Sequence, residues 1–330
     1  MNENEQMKRP QSAGPADAEA PAQANATPGT HGSAQYAPPV RPPKRKRHFV
    51  LSVLGIAFLL MLLGQIIGEV AILGLRSLLP PLKSSTEFLF QYLSFIGIDA
   101  IVLIYCDLWD KDILHSFLGA SHRGQKGNTL KLFLLGILVG SVANGLCILV
   151  AWLHGDLHFS LGEFPVLYLL CAFLCVLVQS GAEELITRGY MMGALLHRYP
   201  AWVAIGVNSL FFAALHLANP GFTLLSFMSI ALIGLALSLI AYYMDSLWMC
   251  IAIHTAWNFT QNFLFGLPNS GIVAERSVLH LEAARSSFFY NAAFGVEGAA
   301  PSLVVELLMG LGALLYVRYR ARKEKEDQLV

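Results

Sequence analysis

The chain has 330 residues, 55% hydrophobic and 13% charged, with 22 basic side chains balanced by 22 acidic ones. A soluble domain carries about 25% charged residues, so this composition excludes a large soluble domain. No folded basic region is present either, which argues against a nucleic-acid partner.

Residues 1–47 are rich in Ala, Pro, Gln, Gly and Asn. Such a segment buries too little surface to offset its ordering entropy, so a disordered tail is expected. It does not read as a secretory signal, because the apolar run starts too late and continues too far. The tail ends in a basic cluster, Arg41, Lys44, Arg45, Lys46 and Arg47.

A transmembrane helical domain is expected over residues 48–320, followed by a short tail of mixed charge at 321–330. A helix needs roughly 20 apolar residues to cross a ~30 Å hydrocarbon layer. Eight spans are predicted, at 49–75, 88–108, 130–153, 165–190, 201–218, 222–243, 247–266 and 301–318. The fourth continues as a helical pattern to about Arg198, and the seventh carries polar residues. The expected fold class is an all-α polytopic membrane bundle. Gly64-x-x-x-Gly68 and Gly136-x-x-x-Gly140 suit close helix packing. Cys106, Cys147, Cys171, Cys175 and Cys250 all lie in apolar segments, where disulfides are not expected. Cys171 and Cys175 read as packing residues rather than a soft-metal pair.

Lys/Arg asymmetry sets the expected orientation. The cluster at 41–47 places the N-terminus in the cytosol. An even number of spans returns the C-terminus there, in agreement with Arg318, Arg320, Arg322, Lys323 and Lys325. The loop with Lys111, Arg123 and Lys126 is expected inside. The loops at 154–164 and 267–300 are expected outside, the longer one as a candidate gate.

Ionisable groups in hydrocarbon are costly and mark function by default. They cluster in three segments: Glu183-Glu184-x-x-x-Arg188, then Asn208 with Phe212-x-x-x-His216, then His254-x-x-x-Asn258. Residues four apart share a helix face. Glu184 and Arg188 are therefore expected to pair, leaving the Glu183 carboxylate free. Phe212 shares a face with His216, and His254 with Asn258. Glu183 precedes Pro200 by 17 residues and His216 follows it by 16. At ~1.5 Å per residue both lie ~25 Å from that turn, so they are level. With Arg188–Arg198 assigned to the interface, the site is expected in the cytosolic half of the bilayer.

A carboxylate and an imidazole at one level can together take a proton from water. A second imidazole and an amide on one face can donate hydrogen bonds to an oxyanion. That set suits hydrolysis of an acyl bond such as a peptide. The same Glu183, His216 and His254 are also a candidate His₂Glu set for a divalent metal such as zinc. No H-E-x-x-H or G-x-S-x-G motif is present.

The three motifs, intact and in order over about residues 165–265, resemble the CPBP intramembrane proteases (CAAX prenyl endopeptidase and bacteriocin-processing, or Abi, proteins). The resemblance implies that Glu183 and His216 activate water while His254 and Asn258 stabilise the oxyanion. Glu184 and Arg188 would hold the site together, with Phe212 beside them. It implies a protein or peptide substrate at the lipid bilayer and suggests a bacterial cytoplasmic membrane. Metal-free catalysis is the reading adopted, with zinc as the alternative. Two rival classes remain: a proton-coupled transporter using Glu69, Asp99 and Glu183, and a non-catalytic membrane immunity or interaction protein.

Overall fold

The computed structural model describes residues 48–117 and 127–327. The predicted tail with its basic cluster, the loop residues Arg123 and Lys126, and residues 328–330 lie outside them.

The chain is an all-α membrane bundle. Helices α1 (Val50–Ser77), α2 (Ser84–Leu93), α3 (Ile96–Trp109), α4 (Lys111–Phe117) and α5 (Leu130–Leu153) lead to a short strand, β1 (Leu157–Leu161). Helix α6 (Val166–Glu184) runs through a π-helical turn, Leu185–Met191, into α7 (Met192–Leu196). Then come α8 (Ala201–Ala214), α9 (Leu224–Met244) and α10 (Leu247–Phe259), the last extended by a π-helical turn, Thr260–Leu264. Strand β2 (Leu279–Ala284) and α11 (Ala300–Asp327) complete the described chain.

Hydrocarbon offers backbone groups no partner, so only segments that satisfy themselves can cross it. Among the described residues six helical stretches are long and apolar enough: Val50–Ser77, Ser84–Trp109, Leu130–Leu153, Val166–Leu196, Leu224–Met244 and Ala300–Tyr319. The fifth and seventh predicted spans form the shorter helices α8 and α10. Helix α8 stops early because Asn219-Pro220-Gly221 follows, and proline cannot continue a helix. Side-chain caps mark other starts. The Thr129 hydroxyl accepts from Leu132 N at α5, Thr223 and Ser226 form a reciprocal box at α9, and Ser246 accepts from Met249 N at α10.

Helix α10 lies at the centre, packed on α5, α6 and α9. Both glycine pairs sit at close helix contacts. A Cβ on Gly64 or Gly68 would strike the backbone at Ile98 or Ser94, and one on Gly136 or Gly140 would strike the α10 backbone at Met249 or Ile253. The outer faces of α1, α5 and α11 carry exposed apolar side chains such as Leu51, Leu153 and Leu315, as a lipid-facing surface requires. The five cysteines are free thiols.

The loops at 154–164 and 267–300 meet as an antiparallel ribbon of β1 and β2, so they occupy the same end of the bundle. Asp156 anchors the ribbon. Buried itself, it accepts from Arg285 (Nη2 to Oδ1, 3.0 Å) and Ser287, and lies 2.9 Å from His154 Nδ1. Burial pushes the Asp156 carboxyl up, but the hydrogen bonds from Ser287, His154 and Arg285 outweigh that and hold it below the usual carboxylate range. A depressed carboxyl stabilises the fold above its ordinary pKa near ~4 and loses that contribution as pH falls through the folded value. Asp156→Asn should therefore lower the melting temperature at pH 7, with a cost of about 1.5–3 kcal/mol for hydrogen bonds to a charge. The gap to wild type should narrow below about pH 4. Thermal unfolding of detergent-purified protein across pH checks this, and a gap constant with pH would refute it.

Candidate active site

Helix α6 ends by presenting two adjacent carboxylates to different partners. The Glu184 side chain is fully buried and sits between two cations or potential cations. Arg188 Nη1 donates to its Oε1 at 2.8 Å, and His254 Nδ1 lies 3.0 Å from the same oxygen. The buried Arg188 guanidinium also donates to Gly234 O on α9 at 3.2 Å, and its carbon stands 4.3 Å above the Phe212 ring. Phe212 in turn meets both imidazoles edge-on, with centroids 5.1 Å from His216 and 5.9 Å from His254.

Glu183 points elsewhere. Its side chain is 19% exposed, and its Oε2 has no hydrogen-bond partner among the described residues. That oxygen lies 3.8 Å from His254 Nε2. Glu183, His216, His254 and Asn258 together line one cleft of about 450 Å³, as do Gln65 and Gln179. Sequence spacing alone brought the first four to one place.

A chain of amides, unforeseen in the sequence, fixes how these groups are turned. Gln179 Nε2 donates to Glu183 Oε1 at 2.5 Å, and Asn258 Nδ2 donates to Gln179 Oε1 at 3.3 Å. Asn269 Nδ2 donates to Asn258 Oδ1 at 3.1 Å and to Glu297 Oε1 at 3.0 Å. A carboxylate at each end only accepts, so every amide between them has one consistent orientation. Glu297 is held by two further donors, Trp257 Nε1 at 3.0 Å and Gln261 Nε2 at 2.7 Å. Gln179 was visible as the residue four before Glu183. Asn269 and Glu297 come from the 267–300 loop, which carried no motif.

The cleft lies toward the end of the bundle that carries the 154–164 and 267–300 loops. The cleft walls reach Asn219 in the α8–α9 turn and Asn269, Ser270 and Ile272 in the long loop, and none comes from the turns at Pro200 or Asp245. Helix α8 ends at Ala214, so His216 stands beyond the end opposite Pro200, and the ~25 Å rise holds undiminished. Glu69 accepts from Gln65 and Ser94, each at 2.9 Å, and Asp99 lies beside Gly181. Neither lines the cleft.

Glu183, His216 and His254 are also the candidate metal ligands. Among the described residues no three His, Cys, Asp or Glu side chains are grouped to hold a metal ion. His254 Nδ1 faces Glu184, His216 Nδ1 lies 3.0 Å from Phe212 O, and Glu183 Oε1 is occupied by Gln179.

The two carboxylates should respond differently to substitution. Glu184→Leu strands the Arg188 charge in the core and should cost about 3–5 kcal/mol. Glu183→Gln should stay within about 1 kcal/mol of wild type, as for a change that opens no core defect. Thermal unfolding of the two purified variants decides, and equal losses would contradict the division.

Residues 164–260 match the family model described as type II CAAX prenyl endopeptidase Rce1-like. No curated protein and no solved structure is significantly similar to the chain. The matched segment contains all three motifs, from Glu183 to Asn258. Over residues 164–260 the chain is thus similar to the CAAX-type intramembrane endopeptidases.

Proposed function

We propose that the protein is an endopeptidase that hydrolyses a peptide bond of a membrane-associated protein or peptide within the cleft. The observation that carries this reading is that Glu183, whose Oε2 accepts no hydrogen bond among the described residues, lines one cleft with His216, His254 and Asn258.

The roles follow from hydrogen-bond bookkeeping. His216 gives its Nδ1–H to Phe212 O, so Nε2 carries the lone pair and can accept from water. Glu183 takes a proton from the same water as its oxygen adds to the carbonyl carbon. When the C–N bond breaks, Glu183 returns that proton to the leaving amine. His254 gives Nδ1–H to Glu184. Its Nε2 is then a donor in the imidazolium form, whose charge the buried Glu184 carboxylate offsets. Asn258 commits one N–H to Gln179 and has a second for the oxyanion. Removal of one such donor costs about 10²–10³ in rate. No step needs a metal, and the chemistry is assigned to the protein's own groups.

With both termini cytosolic, the 154–164 and 267–300 loops lie on the outer face. The cleft then serves substrate segments that enter from mid-bilayer toward that face. The bacterial cytoplasmic membrane remains the proposed location.

Cells expressing wild type should contain protein termini that are missing from cells expressing Glu183→Gln at matched membrane levels. Terminus-resolved mass spectrometry reads this. Identical profiles across growth conditions would remove the protease reading in favour of transport or a non-catalytic interaction. Cleavage by purified protein should survive a chelator; loss that zinc restores would replace the metal-free mechanism.

A further inference from the structure

A second cavity of about 40 Å³ lies among α8, α9, α10 and α11, walled in part by His216, His254 and Asn258 and not by Glu183. Cavity and cleft share His216, His254, Asn258 and Ser270 in their walls. Much of the inner lining is apolar, from Ile230, Ile233 and Leu237 on α9 and Ile253 on α10. Two carboxyl groups interrupt it, Glu297 and Glu306.

Glu306 is anomalous. It is fully buried on α11, a lipid-crossing helix, and belongs to no motif. Its Oε1 accepts from Ser229 Oγ at 2.8 Å, and Ser229 Oγ lies 2.9 Å from Ser302 Oγ. Its Oε2 has no partner among the described residues. A buried carboxyl oxygen left unpaired carries a desolvation cost of about 1–3 kcal/mol or more. An apolar substrate side chain in the cavity would leave that cost in place. A lysine chain would satisfy the oxygen but needs more space. One water needs about 10–15 Å³ on this measure and two to four polar partners. The cavity therefore has room for about three waters, with Glu306, Glu297, Ser270, Asn258 and both imidazoles as partners.

We infer that this cavity is a water-binding site that supplies the hydrolytic water, with Glu306 as the positioning residue that holds water there. The inference deepens the protease reading and rests on it. Each peptide bond cleaved consumes one water, and a peptide filling the cleft closes the route from that side. Water held behind His216 and His254 reaches the reacting carbon without crossing the substrate. Glu306 and Glu297 both lie beyond the 164–260 family match, so the device belongs to the chain's C-terminal part.

X-ray radiolytic hydroxyl labelling, read by mass spectrometry on the full-length protein in lipid nanodiscs, detects ordered water beside buried side chains. Wild type should be labelled at Trp257 and Phe212, although these are only 5% and 3% exposed. Glu306→Leu should lose that label several-fold while the exposed Trp202 keeps its own. Glu306→Gln, whose amide can still hold water, should retain it. Cleavage by Glu306→Leu should slow about tenfold, equivalent to ~1.4 kcal/mol, and Glu306→Gln should restore most of the rate. Unlabelled Trp257 and Phe212 in wild type would overturn the inference whether or not the variants fold. Label or cleavage unchanged in Glu306→Leu would overturn it as well. Labelling needs no substrate, so it stands apart from the Glu183→Gln comparison, in which failure of the protease reading itself appears.

Discussion

The site is organised around one carboxylate that never meets solvent. An isolated ionised carboxylate in hydrocarbon is prohibitively costly, and Glu184 is tolerable because Arg188 and His254 converge on a single one of its oxygens. The same guanidinium reaches the α9 backbone at Gly234 and covers the Phe212 ring of α8. Four helices are therefore pinned at one point: α6 with its π-helical turn, α8, α9 and α10. Glu183, one residue away, is left without such obligations. That division lets one acid hold the helices in place while its neighbour keeps an oxygen available for chemistry.

Both helices that carry site carboxylates or amides change pitch directly after them. The wide turn Leu185–Met191 follows Glu184, and Thr260–Leu264 follows shortly after Asn258. A π-helical turn disturbs the usual backbone pairing and is frequent at functional positions. In a membrane the displaced carbonyls need new donors. Thr187 supplies one, with its hydroxyl 2.5 Å from Glu183 O. The backbone carbonyl of Glu183 is thus held by the side chain of Thr187.

The bundle was legible because apolar length is a strong signal. The three motifs were legible because four-residue spacing puts their members on shared helix faces. Two things escaped. The lengths of α8 and α10 were overestimated, since apolar residues continue past Ala214 as far as the Asn219-Pro220-Gly221 turn and hydropathy does not register a change of helical pitch. The stretch after Arg188, expected to continue as helix to about Arg198, does so through Leu185–Leu196 and buries Tyr190, Met191 and Leu195. Asn269 and Glu297 escaped entirely. A polar residue in a loop is unremarkable in sequence, and only the folding of that loop onto α10 places it against Asn258. The short ribbon of β1 and β2 has the same origin, because two weak strands whose first positions, Leu157 and Leu279, are 122 residues apart show no local pattern that would pair them.

The amide chain from Glu297 to Glu183 also carries a consequence for how such a protein can diverge. Its middle members, Asn258 and Gln179, lie inside the family-matched segment, whereas Asn269 and Glu297 lie after it. The cleft-lining amides are therefore oriented by residues from a loop that carries none of the three motifs. Rewriting that loop alters the pose of the reactive amide without replacing any motif residue. Selection can tune turnover from the periphery while the three motifs stay letter-perfect, and their presence alone is a poor gauge of how fast a given member works.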